Sequence, residues 1–333
     1  MKALLLTNPG PIEIADRLEL VTMDTPEPGP NQVRIKVSAC GACHTDLHEV
    51  EGDLEAKKLP VIPGHQIVGT VDALGQGANE ELLGKKVGLA WLYSSCGKCN
   101  YCEKGMENLC SQGRYTGWHV DGGYAEYTIA EADFVYPIPD GFGDLDAAPL
   151  LCGGVVGFRA LELAGIGNIK KLGMYGFGNS AHVAIQIANH LKAECYVFTR
   201  SKEHQAHAIS LGAKWSGTAE DDPGTTMDSS IVFAPAGRLV HLGLQALKKG
   251  GTLILAGIHM TPIPQMDYSM IYNEKCVKSV ANATREDARK LLNFAASIPI
   301  RTDIEIFELA QGNEVMRRMK KADLRGGAVF KIA

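Results

Sequence analysis

The sequence lacks three features that would each assign it to a class of protein. Its longest apolar run, Leu253 to Ile258, falls far short of the roughly 18 residues of a membrane span, and its length is typical of a buried strand. The N-terminal MKALLLTNPG holds only a short apolar run, whereas a secretory signal needs roughly 7 to 15 such residues. With 33 basic and 38 acidic residues, no excess positive charge attracts nucleic acid or an anionic membrane. These absences predict a cytoplasmic protein that acts on a small molecule.

The length and composition are those of a globular protein with two domains, or with one domain that carries a large insertion. The 333 residues exceed the size at which one hydrophobic core usually stops growing. Hydrophobic residues at 45% and charged residues at 21% exclude a disordered or fibrous chain. The nine cysteines form an odd number in a chain without a secretory signal, which favours metal binding or catalysis over disulfide bonds.

The hydrophobic pattern changes near residue 150. Before it, short alternating stretches are broken by glycine and proline, and Val33, Ile35 and Val37 face away from Arg34 and Lys36, which predicts a β-rich domain over residues 1–150. From 151 to 271, apolar runs alternate with helical patterns, which predicts a parallel sheet with right-handed crossovers. The elements expected in this second region are strands at Leu172–Tyr175 and Cys195–Thr199, a helix at Ser180–Leu191 and a further helix ending at Leu211.

Residues 272–333 are expected to return to the first domain. Their pattern predicts two amphipathic helices and a closing strand. These elements are expected at Thr284–Ala296, Gln311–Lys321 and Ala328–Ile332.

Four cysteines lie close together within residues 94–112. Cys96, Cys99, Cys102 and Cys110 are separated by two, two and seven residues, so that one segment can surround a tetrahedral Zn²⁺. An iron–sulfur cluster uses similar spacings and remains the alternative. A zinc ion held by four thiolates has no open position, which predicts a structural role for this segment.

A second set of candidate ligands consists of the thiol and imidazoles of residues 43–48, the imidazole of His65 about 20 residues further on, and the distant Cys152. Their spacing alone does not distinguish a metal site from buried structural residues. The runs CHTDLH at 43–48, GHQIVG at 64–69, DGGYAEY at 121–127 and LLC at 150–152 flank the four-cysteine segment in a fixed order, and a GxGxxA turn follows. In these motifs and their order, nearly the whole chain resembles the zinc-containing medium-chain alcohol dehydrogenases.

The resemblance implies a catalytic zinc held by Cys43, His65 and Cys152, in addition to the structural zinc, and therefore two Zn²⁺ per chain. The fourth position would stay open for an alcohol, whose alkoxide the metal stabilises. Thr45 and His48 match the family's proton relay.

The surroundings of the implied zinc show one departure from the family. Asp46 resembles the carboxylate that orients a ligating imidazole, here that of His65. The family usually has an acid directly after this histidine, whereas this sequence has Gln66, which predicts altered ligand exchange at the metal.

The glycine turn predicts a dinucleotide site. Gly176 allows the turn after a strand, Gly178 allows close approach of a pyrophosphate, and Ala181 lies in the helix that follows. Thr199 stands where an acid would bind the ribose of NAD, and Arg200 can pair with a 2′-phosphate, which favours NADP over NAD. The alternative is that Arg200 stacks on the adenine and NAD serves equally well.

Lower-ranking candidates come from the resemblance alone. His44 occupies the position of a basic residue that approaches the pyrophosphate, and Trp91, together with Trp118, is a candidate for the substrate pocket. Gly327 stands where the family often has an arginine, and Arg325 precedes it by two residues.

The resemblance implies an α/β protein with a β-rich GroES-like catalytic domain at 1–150 and 272–333, and a Rossmann domain with a doubly wound parallel sheet at 151–271. The expected activity is reversible hydride transfer between a small alcohol and NADP or NAD, in a homo-oligomer that is a dimer or a tetramer. Alternatives are a polyol, formaldehyde or aromatic-alcohol dehydrogenase, a zinc-free enone or quinone reductase, and a non-catalytic protein that binds zinc and nucleotide.

Overall fold

The computed structural model describes residues 1–324 and 326–332, so that Arg325 lies outside the described residues. The chain divides into two compact units. Unit 1 consists of Met1–Cys152, Thr284–Ala296 and Arg301–Ala333, and unit 2 consists of Gly153–Ala283 and Ser297–Ile300.

The regular elements comprise strands, α-helices and short 3-10 helices. The strands are β1 (Lys2–Leu6), β2 (Leu18–Thr22), β3 (Gln32–Ala42), β4 (Gln66–Leu74), β5 (Lys86–Leu89), β6 (Leu92–Ser94), β7 (Arg114–Tyr115), β8 (Tyr127–Glu131), β9 (Val135–Pro137), β10 (Lys171–Tyr175), β11 (Glu194–Phe198), β12 (Trp215–Gly217), β13 (Met227–Val232), β14 (Leu247–Leu255), β15 (Cys276–Ser279), β16 (Ile304–Glu308) and β17 (Gly327–Lys331). The α-helices are α1 (His44–Glu51), α2 (Asn100–Glu103), α3 (Asp144–Ala147), α4 (Gly153–Leu163), α5 (Asn179–His190), α6 (Lys202–Ser210), α7 (Arg238–Ala246), α8 (Arg285–Ser297) and α9 (Gly312–Lys320). The 3-10 helices are Glu80–Leu82, Glu107–Leu109, Ala132–Phe134, Ala148–Leu151, Tyr268–Met270 and Leu309–Gln311.

The main sheet of unit 1 has seven strands. They follow the order β16-β17-β3-β4-β5-β9, and β8 also pairs with β3. The alternation predicted in β3 is confirmed, because Val33, Ile35 and Val37 are fully buried while Lys36 is exposed. Since β3 ends at Ala42, the central strand of the sheet leads directly to the first predicted zinc ligand.

Helix α1 packs onto the hydrophobic core of unit 1. Leu47 and Val50 belong to the same buried cluster as Ile35 and Phe330 of the sheet and Met316 of α9. Burial of Leu47 and Val50 stabilises this packing by about 2 kcal/mol each. The helix is therefore held firmly where it carries the side chains of the candidate site.

Unit 2 is built around a six-stranded parallel sheet, as predicted. The strand order is β12-β11-β10-β13-β14-β15, and every pair is parallel. The order reverses at β10, which has the next strand in sequence, β11, on one side and β13 on the other. In a sheet of this doubly wound type, the carboxyl end of β10 is the place where ligands bind.

Two features of unit 2 differ from the sequence-based expectation. Strand β14 ends at Leu255, and Ile258, which the sequence-based expectation placed in this buried strand, is 71% exposed. The chain also stays in unit 2 beyond residue 272, since β15 adds a sixth strand, and it returns to unit 1 at Thr284. The pattern of β15 gave no signal because three of its four residues are exposed.

In the described part of the chain, no helix has both the length and the apolar character that a membrane-spanning helix needs.

Candidate active site

The junction between β3 and α1 positions Cys43. This residue is the N-cap of α1 in an extended conformation, with φ −138° and ψ 175°. The backbone N–H of Thr45 donates to Sγ of Cys43 at 3.3 Å, and the N–H of Cys43 donates to Oδ2 of Asp46 at 2.8 Å. The second bond belongs to a capping box, whose other bond runs from the backbone N–H of Asp46 to the side chain of Cys43. This cap fixes the sulfur at the helix N-terminus, where the helix dipole favours a thiolate.

Asp46 also orients His65. Nδ1 of His65 donates to Oδ1 of Asp46 at 3.0 Å, and both side chains are almost completely buried. Nε2 of His65 therefore faces the two sulfurs, 3.3 Å from Sγ of Cys43 and 3.4 Å from Sγ of Cys152. With the proton on Nδ1, Nε2 has its lone pair available for a metal.

Cys152 completes a set of three donors. It follows the 3-10 helix Ala148–Leu151, and its Sγ donates to Sγ of Cys43 at 3.9 Å. The hydrogen bond from Cys152 is the largest of the causes that lower the pKa of Cys43 well below its ordinary value. Around a tetrahedral zinc, two sulfurs lie about 3.8 Å apart, and a sulfur and a nitrogen lie about 3.6 Å apart. The donors Cys43, His65 and Cys152 fit one such ion with a fourth position left open.

The four-cysteine segment forms a second cluster, described here as the cysteine lobe (residues 94–112). Sγ of Cys102 lies 3.9 Å from Sγ of Cys96 and 3.5 Å from Sγ of Cys99, and the N–H of Cys96 donates to Sγ of Cys110. All four sulfurs lie within 4.8 Å of one another. A backbone hydrogen bond from Lys98 is the largest of the causes that lower the pKa of Cys96 to about 6. These separations fit a single ion with four sulfur ligands, and they leave little room for a cluster of several metal atoms.

The glycine turn of unit 2 lies at the carboxyl end of β10. Gly176 has φ 92°, and a Cβ there would lie 2.8 Å from the backbone nitrogen of Ala234, so only glycine fits without strain. Gly178 is the N-cap of α5, and a Cβ there would point into open space. Ala181 is fully buried in the first turn of α5. This geometry leaves the N-terminus of α5 open to an anion such as a pyrophosphate.

The end of β11 carries no acid. Thr199 is half-buried, its N–H donates to the carbonyl of Gly217 at 2.8 Å, and its carbonyl accepts from Gln205. Arg200 is exposed directly after it. Both residues lie beside β10 and its turn, because β11 is the neighbouring strand.

Comparison with known proteins identifies the family. The alcohol dehydrogenase GroES-like domain family matches residues 29–140. The "Probable alcohol dehydrogenase AdhA" of Mycobacterium tuberculosis is 42% identical to this chain over 100% of the chain and 97% of its own length. An alcohol dehydrogenase of Geobacillus stearothermophilus is 36% identical over 96% of this chain and 97% of its own length. This chain belongs to the zinc-containing medium-chain alcohol dehydrogenase family.

A solved structure of this dehydrogenase family supports the fold. A cinnamyl alcohol dehydrogenase from Sorghum bicolor superposes with a TM-score of 0.89 at 28% identity, over 99% of this chain and 97% of that chain. The predicted fold class, a GroES-like domain together with a Rossmann-type parallel sheet, is confirmed.

The predicted proton relay of the dehydrogenase lies along α1. Thr45 is 6% exposed, and His48 follows it by three residues, so that the two side chains are neighbours on the helix surface. Nδ1 of His48 lies 3.0 Å from Oδ2 of Asp53, which sequence reasoning had not identified. Asp53 follows Gly52, the left-handed residue that ends α1 and turns the chain back toward the helix. His44, the first residue of α1, is exposed.

Aromatic rings pack against the candidate ligand His65 in the dehydrogenase. The ring of Trp91 meets the imidazole edge-on, with 4.8 Å between the centroids. Trp91 stacks on Tyr115 at 5.3 Å and on Trp118 at 5.9 Å, and Nε1 of Trp118 donates to the carbonyl of Glu55. The sequence suggested Trp91 and Trp118, but it did not suggest Tyr115.

Gln66 stands where the family resemblance led to the expectation of an acid. It begins β4, is 4% exposed and pairs with Gly41 of β3. Oε1 of Gln66 lies 2.6 Å from the position that a Cβ on Gly41 would take, so the amide fills the space that glycine leaves. The residue therefore packs against the sheet as a neutral group next to His65. Gly327, in the place of the expected arginine, begins β17.

Proposed function

We propose that this dehydrogenase holds a catalytic Zn²⁺ at Cys43, His65 and Cys152, and that it interconverts a small primary or secondary alcohol and its aldehyde or ketone. The observation that carries the proposal is the convergence of two sulfurs and Nε2 of His65, whose other nitrogen is held by Asp46. When bound, the zinc would stabilise negative charge on the substrate oxygen, and a nicotinamide would exchange the hydride.

We propose that Thr45, His48 and Asp53 move the proton of the alcohol. The hydroxyl of Thr45 would accept it, and the imidazole of His48 would exchange it with solvent. Asp53 holds Nδ1 of His48 at 3.0 Å, which fixes the orientation of the imidazole ring. The side chain of His48 is 26% exposed, as an exchange with solvent requires.

We propose that unit 2 is the dinucleotide-binding domain and unit 1 the catalytic domain. The support is the open N-terminus of α5 after Gly176 and Gly178, with Ala181 packed beneath it.

We also propose that the enzyme prefers NADP to NAD. A carboxylate at Thr199 would repel a 2′-phosphate, and none is present there, while the exposed Arg200 can donate to one. His44 is a further candidate for contact with the pyrophosphate.

Within the alcohols, we propose a preference for aromatic substrates. The stack of Trp91, Tyr115 and Trp118 starts beside the metal ligand His65, and all three aromatic residues are only partly buried. Aromatic pairs in offset or edge-on contact gain about 0.5–1.5 kcal/mol beyond the burial of their area. Polyol and formaldehyde dehydrogenases remain the alternatives, but no side chain described beside His65 favours them.

We propose that the cysteine lobe holds a structural Zn²⁺ and that the chain forms homo-oligomers. All nine cysteines are free of disulfides in the structure, which is consistent with the predicted cytoplasmic location. Among the described strands, β15 at the edge of the sheet pairs only with β14, and Val277 on it is partly exposed. Tyr268 and Tyr272 precede it and are more than two thirds exposed. Apolar exposure at a sheet edge is typical of an interface between subunits.

The experiment that tests the proposed function is a panel of aldehyde reductions by zinc-loaded protein, with NADPH and NADH side by side. The panel pairs benzaldehyde and cinnamaldehyde with cyclohexanecarboxaldehyde and acetaldehyde. We expect turnover with higher kcat/KM for NADPH and for the aromatic members. Faster turnover with NADH would refute only the cofactor preference, and equal rates for benzaldehyde and its saturated analogue would refute only the aromatic preference. Bound zinc without turnover of any member would favour the non-catalytic alternative.

A further inference from the structure

A second carboxyl group is buried on the face of α1 that carries Asp46. Glu49 is 3% exposed. Neither of its carboxyl oxygens has a hydrogen-bond partner among the residues that the structure describes. Burial of a carboxyl group without a partner destabilises a protein, so such a group calls for a functional or structural reason.

The position of Glu49 relates it to the candidate zinc site. It follows Asp46 by three residues on α1, which makes the two side chains neighbours on one helix face. Both oxygens of Asp46 are already engaged, one by the N–H of Cys43 and the other by Nδ1 of His65. Glu49 therefore lies next to Asp46, which orients the candidate ligands, but it makes no hydrogen bond to Asp46.

Glu51, the third acid of α1, does have partners for its carboxylate. Oε1 of Glu51 accepts hydrogen bonds from Nζ of Lys320 at 2.7 Å and from the N–H of Ile12 at 3.2 Å. Its charge is neutralised within the protein, by a lysine of α9. In the described part of the chain, Glu49 thus differs from Asp46, whose two oxygens accept hydrogen bonds, and from Glu51, which pairs with a lysine.

The charges around Glu49 favour a cation in the site. Burial, followed by the charge of Asp46, raises the pKa of Glu49 well above its ordinary value, and Cys43 acts in the same direction against the opposing effect of His65. A divalent cation among two thiolates would offset this repulsion. By linkage, a cation that favours the ionised form of Glu49 is in turn bound more tightly when Glu49 is ionised.

We propose that Glu49 is a positioning residue of the zinc site, whose carboxylate strengthens retention of the metal by Cys43, His65 and Cys152. The inference rests on the catalytic metal of the proposed function. It adds a residue that touches neither metal nor substrate and acts through the buried face that it shares with Asp46.

The test is the rate at which zinc passes from the full-length, two-zinc protein to a colorimetric chelator. Glu49→Gln keeps the shape of the side chain and removes its charge, and Glu51→Gln removes the same charge from the same helix at a paired position. The release phase that is absent from Cys43→Ser belongs to the catalytic ion. We expect this phase to be about tenfold faster in Glu49→Gln, as for other outer groups of metal sites, with the phase of the lobe zinc unchanged. Glu51→Gln should release zinc at the wild-type rate, and Glu49→Asp should recover part of the retention.

Release at the wild-type rate from Glu49→Gln, together with a raised melting temperature, would overturn the inference and make Glu49 a merely buried acid. Faster release of both ions would also overturn it, because a general loss of stability would explain that result. Failure of the proposed function is distinguishable from these outcomes. In that case the wild-type protein would hold only the zinc of the lobe, and the phase that belongs to Cys43 would be missing.

Discussion

Asp46 links two of the three donors of the proposed zinc site. One oxygen accepts from the backbone of Cys43 and the other from the ring of His65, so that a single carboxylate orients the capping residue and the imidazole together. Because both bonds are buried, they are stronger than they would be in water. The family resemblance suggested only the bond to His65. The bond to Cys43 follows from the helix cap, which becomes visible only once the end of β3 is known.

At the scale of the single residue, the prediction concerns Cys43. Replacing it by serine removes one thiolate of the three-donor set, and we expect kcat for aldehyde reduction to fall at least about a thousandfold, since the metal supplies several kcal/mol of charge stabilisation. The dissociation constant for NADPH, measured by fluorescence titration, should change less than about twofold, because the glycine turn belongs to unit 2. Turnover close to the wild-type level in Cys43→Ser would refute the catalytic metal.

At the scale of the element, the cysteine lobe is joined to helix α8. Oε1 of Glu107 accepts from the backbone N–H of Arg285 at 3.1 Å and from its Nε at 3.2 Å, and the guanidinium lies 4.5 Å from the centre of the Phe134 ring. Glu107 is 6% exposed, so the ion pair is shielded from solvent on that side. The sequence did not predict this contact. Glu107 and Arg285 are distant in the chain, and the local pattern around each residue does not specify its partner.

The prediction for this element separates the two proposed metal sites. Cys99→Ser opens the four-sulfur set, and we expect the zinc content to fall from two ions to one per chain. A structural zinc contributes free energy of folding, so the melting temperature should fall by at least about 5 °C, in calorimetry at fixed protein concentration. The variant should keep measurable turnover below its melting temperature. An unchanged melting temperature with loss of activity would show that the roles of the two sites are reversed.

At the scale of the whole molecule, the edge of the six-stranded sheet is the feature that predicts assembly. Val277→Asp places a charge on β15, and we expect the molar mass measured by light scattering to decrease from that of an oligomer toward that of a single chain at micromolar concentration. Ile14→Asp is the matched control, because Ile14 is 79% exposed in unit 1 and its change should leave the mass unaltered. A wild-type protein that is already monomeric would refute the proposed assembly.

The accuracy of the sequence-based predictions depended on the kind of pattern. Strand β10, helix α5 and helix α8 were located within one residue at each end, since apolar periodicity and glycine turns are local signals. Strand β15 and the continuation of unit 2 to Ala283 were missed, because a four-residue edge strand with exposed side chains carries no such signal.

The sequence by itself determined the chemistry that is available in this protein. It specified four clustered thiols, a thiol and an imidazole in motifs of one dehydrogenase family, and a strand, glycine turn and helix in unbroken succession. These properties depend on residue type and short spacing. The tertiary structure alone decided which distant groups meet: Sγ of Cys152 with Sγ of Cys43, 109 residues apart, and the ring of Trp91 with that of His65. Such contacts follow from sheet pairing and core packing, which act between segments that are remote in the chain.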